Sequence, residues 1–416
     1  FKQKTAYEIL SGLVGSEMCI RDRIKGLLIT HVDDLCWCIM PEYEEHINNI
    51  LREFAVNKDK MSARSFRFCG KEIEQDRDYN VTVTCRDTTE QIGPIRYTIG
   101  SRKLDDQATE KEIDQMRSVV GSLGWIARQC RPDISYDVSW SQGAVSRATV
   151  RDLKKVNEAL AQAQAYSHIG LVFRSDAIDW NTAIVVSITD ASFAQETVIE
   201  ADGKVKPHRT QKAFMNLLVD PSITKNNEAG CHVWAWRSLT DKRVCRATLQ
   251  GEAHGLLSGT EMGDRLRAIV ADLRGFLPDI RNWQEVSSKV MRHLWLSDCE
   301  SLVSHLKNPK NERMENVRLS IDIQGLKQIL WEKADGTNLD DLEPEDIAEN
   351  AVRWIDTSCM VVDCLTKKMN PAILLRLIAS SRLSLEPTIE SQMLKLRKQK
   401  LRREKKDQER EGRKAP

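Results

Sequence analysis

From residue 178 to residue 363 the sequence alternates apolar, β-prone runs with stretches of helical periodicity, and an acidic residue stands at four of the boundaries. This order constrains the fold more than any other feature, because a period of 2 cannot be exchanged for 3.6 without turning apolar faces into water. Residues 182–189 form the first apolar run and end at Asp190. Asp202-Gly203 is a turn signal before a second run at 212–219, and residues 232–236 make a third. Residues 249–273 read as a long amphipathic helix with Glu252 in its first turn. A fourth run, 291–297, ends at Asp298; helices follow near 300–306 and 316–333, and a short strand at 351–355 precedes Asp363. Strands before helices with one late return strand predict an α/β layer with a mixed five-stranded sheet.

In an open α/β sheet, groups at the carboxyl ends of neighbouring strands can converge in one crevice. At ~4 Å and an effective dielectric near 20, each pair of carboxylates repels by roughly 4 kcal/mol. A cluster of Asp190, Glu252, Asp298 and Asp363 therefore needs protons or cations to persist. Hard divalent ions with oxygen ligands fit it, and two of them about 3.5–4 Å apart can activate water and stabilise the leaving oxygen of a phosphodiester. Each acid also has an ordinary reading: Asp190 as a turn residue, Glu252 and Asp363 as helix N-terminal charges, Asp298 as an N-cap. Spacing alone does not choose between them.

Upstream, residues 24–40 read as a hairpin with Asp33 and Asp34 at its tip. A helix over 41–56, strands near 67–75 and 79–86, and a mostly helical block at 108–170 follow, with Pro132 beginning a helix. Cys36 and Cys38 are expected as core thiols. The 11 cysteines are scattered, with no CxxC pair, so neither a zinc knuckle nor a zinc finger is expected, and a reducing compartment is. A length of 416 residues implies two or three domains. With 62 Lys+Arg against 61 Asp+Glu, a nucleic-acid binder must gather its basic residues locally. No apolar run approaches the ~20 residues that span a bilayer. Residues 1–23 resemble translated adapter sequence and are set aside, and residues 384–416 form a basic charged tail.

The contexts of the acids resemble the RNase H domain of copia-type retrotransposon polyproteins. The carrying segments are Ile188-Thr-Asp190-Ala-Ser-Phe193, Arg209-Thr-Gln-Lys-Ala-Phe214, Trp236-Arg-Ser-Leu-Thr-Asp-Lys242, Ala247-Thr-Leu-Gln-Gly-Glu252-Ala253, Leu296-Ser-Asp298, Ser320-Ile-Asp-Ile323 and Val362-Asp363-Cys-Leu-Thr-Lys-Lys368. The resemblance implies that Asp190, Glu252, Asp298 and Asp363 bind Mg²⁺ or Mn²⁺, as two ions, and that the substrate is RNA paired with DNA. Leu319-Ser320 stands where the family has Lys-His. His254-Gly255 replaces the second acid of the family's Glu-Ala-Glu, and His254 is expected to be a surface or packed histidine rather than a ligand.

His31-Val-Asp-Asp34 resembles the catalytic hairpin of reverse transcriptases, and Arg67-Phe-Cys-Gly-Lys-Glu-Ile73, Val119-Val-Gly-Ser-Leu-Gly-Trp125 and Arg131-Pro-Asp-Ile-Ser-Tyr136 match further segments of that family. The implied fold class is α+β: a truncated reverse transcriptase palm at 24–100, a helical thumb or connection at 101–177, and an RNase H-like α/β domain at 178–383. Polymerase activity is expected to be lost by truncation, leaving endonucleolytic hydrolysis of RNA in hybrids. A non-enzymatic, nucleic-acid-binding remnant of a decayed element is the alternative. Arg117, Arg128, Arg131, Lys154 and Lys155 are candidates to track a nucleic-acid backbone. No membrane partner is expected, oligomeric state is left open, and the parent element belongs to cytoplasmic virus-like particles and the nucleus.

Overall fold

A computed structural model describes residues 24–32, 34–53, 62–199, 205–276, 279–308, 314, 316–331 and 350–387, with isolated positions between 389 and 400. Asp33, residues 1–23, the Asp202-Gly203 turn, the acidic insert at 340–349 and the end of the basic tail lie outside the described residues.

Strands β1 (Gly26–His31) and β2 (Asp34–Ile39) form the expected hairpin, with His31 opposite Asp34. Its turn holds Val32 at φ 54, the sign that tight hairpins demand and β-branched residues resist. The expected core thiols are not found there: Cys36 is half-buried and Cys38 exposed. The sheet has two strands only, and Leu27 and Ile29 are also exposed. Helix α1 (Glu44–Glu53) follows, with Ile47 buried.

A second sheet is antiparallel, in the order β3 (Ser65–Phe68), β4 (Lys71–Gln75), β5 (Val81–Thr84) and the late β6 (Leu171–Phe173). The strand expected over 67–75 is broken at Cys69-Gly70, where φ is 50 and 74. Such angles suit a two-residue hairpin turn, and a Cβ on Gly70 would come within 3.1 Å of the Trp125 ring.

Helix α2 (Arg86–Glu90) leads to α3 (Glu110–Gln129), α4 (Ser135–Ala144) and α5 (Val150–Ala165). A capping box opens α3: Glu112 N–H donates to Thr109 Oγ1 at 3.3 Å, and Thr109 N–H to Glu112 Oε2 at 2.8 Å. Such a cap contributes about 1 kcal/mol. Met116, Val120, Leu123 and Ala127 on α3 and Val156, Leu160 and Ala163 on α5 are buried at helical spacing.

The third sheet is built from β7 (Ile184–Ile199), β8 (Val205–Val219) and β9 (Glu228–Thr240). Helices α6 (Thr248–Leu273) and α7 (Trp283–Val290) precede β10 (His293–Ser297); α8 (Glu300–Lys307) and α9 (Val317–Trp331) precede β11 (Asn350–Trp354). Then come α10 (Asp363–Thr366), α11 (Ala372–Ser380) and β12 (Arg382–Ser384). The spatial order is β11-β10-β7-β8-β9-β12. Strands β11, β10 and β7 run parallel and the other pairs antiparallel, so the sheet is mixed. It has six strands, not the expected five: β12 is three residues long with only Leu383 buried, too short to show alternation.

Helix α6 packs on this sheet through Gly251, Gly255, Gly259 and Gly263, which repeat every fourth residue along its inner side. A Cβ on Gly259 would stand 2.7 Å from Thr189 Cγ2, and one on Gly263 2.4 Å from the His293 ring. The same contact carries a buried polar link: Asn216 Nδ2 donates to Ser187 Oγ at 2.6 Å and to the Gly259 carbonyl at 3.0 Å. Ser187 Oγ is 2.7 Å from His293 Nε2, whose Nδ1 lies 3.4 Å from Asp264. With Ser187 and His293 at 0% and 1% exposure, this Ser-His-Asp grouping admits no substrate and fastens helix to sheet.

One apolar core runs from Val119 and Leu160 through Ile188 and Met215 to Leu365 and Leu383, and a second, with Trp295, Leu302, Leu326 and Trp331, lies under α8 and α9. Among the described residues no helix is long and apolar enough to cross a membrane.

Candidate active site

Asp190 lies within β7 rather than at its end, because β7 continues to Ile199 along β8. Its parallel pairing with β10, however, stops at Ile188 opposite Leu296. Asp190 therefore sits just beyond the carboxyl end of that pairing, and Asp298 follows Ser297, the last residue of β10. Glu252 reaches the same edge from the start of α6, and Ala191 N–H donates to its Oε1 at 3.3 Å. Carboxylate oxygens of Asp190, Glu252 and Asp298 all lie within 4.8 Å of one another.

Asp363 opens α10 and is not one of that group of three. Its Oδ1 accepts from Lys367 Nζ at 2.8 Å. From the same turn Thr366 Oγ1 donates to Asp190 Oδ2, so α10 is fastened to the acid on β7.

Burial sets the electrostatics. Asp190 and Glu252 are 6% and 4% exposed. Desolvation, and next the charge of Asp363, push the Asp190 carboxyl up to about 7 against the Thr366 hydrogen bond. Desolvation and then Asp190 and Asp298 raise Glu252 well above the ordinary carboxylate range. Asp298 is raised by desolvation first, with Asp363 adding to it. Glu252 Oε2 is buried without a hydrogen-bond partner. An orphaned carboxyl oxygen beside two further carboxyl groups is the donor set a hard divalent cation takes, and the residues present fit such an ion.

The other sequence candidates fall elsewhere. Asp34 is exposed at the start of β2, and no group of three or more potential metal ligands among the described residues includes it. Arg131 is corrected from a backbone-tracking residue to a structural one. It is 1% exposed, forks onto Asp133 at 2.8 and 2.9 Å, and donates to the carbonyls of Ala163 and Tyr166. Arg117 is exposed and paired with Asp114 at 2.6 Å, and Lys154 lies 3.9 Å from Glu158. Lys155 Nζ stands 4.3 Å over the Trp140 ring. Arg128 lines a groove of about 700 Å³ between α3, α4 and β9, together with Gln142, Arg237 and Lys242.

Sequence reading missed Thr366 and Lys367 beside the acidic centre, and Arg237 and Lys242 in the groove, although all four lie in the segments that carry the resemblance. Leu319, in the place of the family's basic residue, is 6% exposed and packs in the core under α8 and α9.

No protein-family model matches the chain, and no curated protein matches it. Among solved structures it is similar to an N-terminal RNase H domain from Mycobacterium tuberculosis, fused to maltose-binding protein. The identity is 11% and the TM-score 0.24, over 48% of this chain and 98% of that one. A foamy viral protease-reverse transcriptase in complex with RNA/DNA hybrid is 8% identical at a TM-score of 0.24, over 83% of this chain and 58% of that one. The same viral protein with dsDNA is 14% identical at 0.22, over 79% and 55%. The chain thus spans little more than half of the foamy viral chains.

Proposed function

We propose that this chain is part of a copia-type reverse transcriptase polyprotein and that its retained activity is endonucleolytic hydrolysis of RNA in RNA–DNA hybrids. The observation that carries this reading is the meeting of Asp190, Glu252 and Asp298 within 4.8 Å, with Glu252 Oε2 buried and unpartnered. Asp190, Glu252, Asp298 and Asp363 would hold Mg²⁺ or Mn²⁺, two ions in all. When bound, such ions supply Lewis-acid stabilisation of the phosphate and a nucleophilic water at neutral pH.

The chain's own groups do the positioning. Thr366 orients the Asp190 carboxylate, and Lys367 neutralises Asp363 at the rim. The groove carrying Arg128, Arg237 and Lys242 would hold a phosphate backbone, reading A-like shape rather than sequence. In this reading residues 24–100 and 101–177 derive from palm and thumb, and 178–383 form the nuclease. The parent element would work in cytoplasmic particles and the nucleus.

A non-enzymatic, nucleic-acid-binding remnant is the second reading, favoured by one observation: Leu319 packs in the core where the family places a basic residue. Cleavage assays on end-labelled hybrid, single-stranded RNA and duplex DNA separate the two. Cutting of the hybrid's RNA strand alone, dependent on Mg²⁺ or Mn²⁺ and abolished by chelator, supports the enzyme. Salt-sensitive binding without cutting supports the remnant.

A further inference from the structure

A second group of ligand-type side chains lies where the chain turns from β9 into α6. Asp241 follows β9, Cys245 lies in the segment leading to α6, and His254 sits on α6 two residues beyond Glu252. One ligand atom from each lies within 4.8 Å of the others. Asp241 Oδ2 and His254 Nδ1 are 2.6 Å apart; Cys245 Sγ is 3.6 Å from the first and 3.7 Å from the second. His254 is 2% exposed, so the ring is packed, as its sequence context suggests, but its polar edge is not idle.

We propose that Asp241, Cys245 and His254 form a binding site for a borderline-soft divalent ion of the zinc class, distinct from the acidic centre. Tetrahedral ligands at ordinary zinc distances stand about 3.5 Å apart on edges to sulfur and about 3.3 Å on the nitrogen–oxygen edge. Both sulfur edges are already there, and only the Asp241–His254 contact has to open, by roughly 0.7 Å.

The second, independent observation is on the far side of the ring. His254 Nε2 lies 3.1 Å from Asp322 Oδ2, on α9. Ligating histidines characteristically donate their other N–H to a carboxylate, which fixes the tautomer and aims the free nitrogen at the ion. Asp322 is itself held by Arg243 at 3.2 Å, so the outer shell is built as well. Ligation replaces the Cys245 Sγ proton and the Nδ1 proton of His254, and both are released to solvent. A thiolate and an imidazole select against magnesium, so the two centres would take different ions. The spacing 241, 245 and 254 matches no zinc-finger pattern, so no motif announces the site. The site does not rest on the nuclease reading. It would staple the segment bearing Lys242 and Arg243 to the helix that carries Glu252.

The test is titration of the full chain with Co²⁺, followed by visible and near-ultraviolet absorption, and competition by Zn²⁺. Expected are one equivalent of tetrahedral Co²⁺ with a thiolate charge-transfer band, displacement by Zn²⁺, and an unchanged spectrum in Asp298→Asn. Cys245→Ser, at a partly exposed position, should abolish the band, and Asp322→Asn should weaken affinity about 10- to 100-fold. Absence of the band in the wild-type chain, or its survival at full strength in Cys245→Ser, would overturn the proposal. His254→Asn serves as a third variant, provided its circular dichroism matches wild type.

Discussion

The backbone N–H of Ala191 donates to Glu252 Oε1 at 3.3 Å, while Glu252 Oε2 is buried with no partner. One oxygen of the same carboxylate thus joins helix α6 to strand β7, and the other is left without a hydrogen bond in a group whose carboxylate oxygens also include those of Asp190 and Asp298.

The first consequence is a pH dependence. The folded-state carboxyls of Asp190, Glu252 and Asp298 are raised, so in chelator the folded state binds more protons than the unfolded one. Their contribution to stability is full below the unfolded values near 4 and is lost as pH rises through the folded value of Asp190, about 7. For Asp190 alone the loss is on the order of 4 kcal/mol. Urea denaturation at about pH 5 and pH 8 should show it, with the slope reduced in Asp190→Asn and reduced again by saturating Mg²⁺. An identical pH profile in Asp190→Asn would contradict the assignment.

Two helical glycines, one from the α6 stripe and one on α3, make opposite predictions for alanine substitution. Gly263→Ala places a Cβ 2.4 Å from the His293 ring and should destabilise by about 1–3 kcal/mol. Gly121→Ala, on α3 with open space around its Cα, should stabilise by about 0.5–1 kcal/mol. Thermal melts of the two variants check both signs.

Arg131 serves the fold rather than a ligand. Arg131→Ala leaves Asp133 buried and unpaired and should cost about 3–5 kcal/mol, and Arg131→Lys should not restore the fork. A urea midpoint equal to wild type in either variant would show that the pair is not holding the helical block.

For the groove, alanine at Arg128, Arg237 and Lys242 should weaken hybrid binding regardless of sequence. Removing one cation that neutralises a phosphate should lower the slope of log affinity against log salt by about 1. Fluorescence anisotropy across a salt series measures it, and an unchanged slope would exclude this surface.

Much of this was legible in the sequence where a pattern repeats. The runs closing on Asp190 and Asp298 alternate with long amphipathic helices, and both acids do come to one edge of the sheet. The misses share a physical cause, since each depends on tertiary packing rather than on local pattern. Strand β12 is one buried side chain long, the Cys69-Gly70 turn lacks the usual Asn-Gly signature, and the burial of Arg131 is decided by carbonyls more than thirty positions away. The approach of α6 was written in the sequence as glycines at 251, 255, 259 and 263, a spacing that helix propensity alone would count against the helix. Asp241, Cys245 and His254 come together only when the chain turns from β9 into α6.

The most direct test of the acidic centre is the single-turnover cleavage rate of an RNA–DNA hybrid in Mg²⁺, measured for wild type and Asp298→Asn side by side. Metal-dependent cutting by wild type, reduced about 100-fold or more in the variant at equal hybrid affinity, is the expected result. Equal rates in the two proteins, or no cutting by wild type in either Mg²⁺ or Mn²⁺, would contradict it.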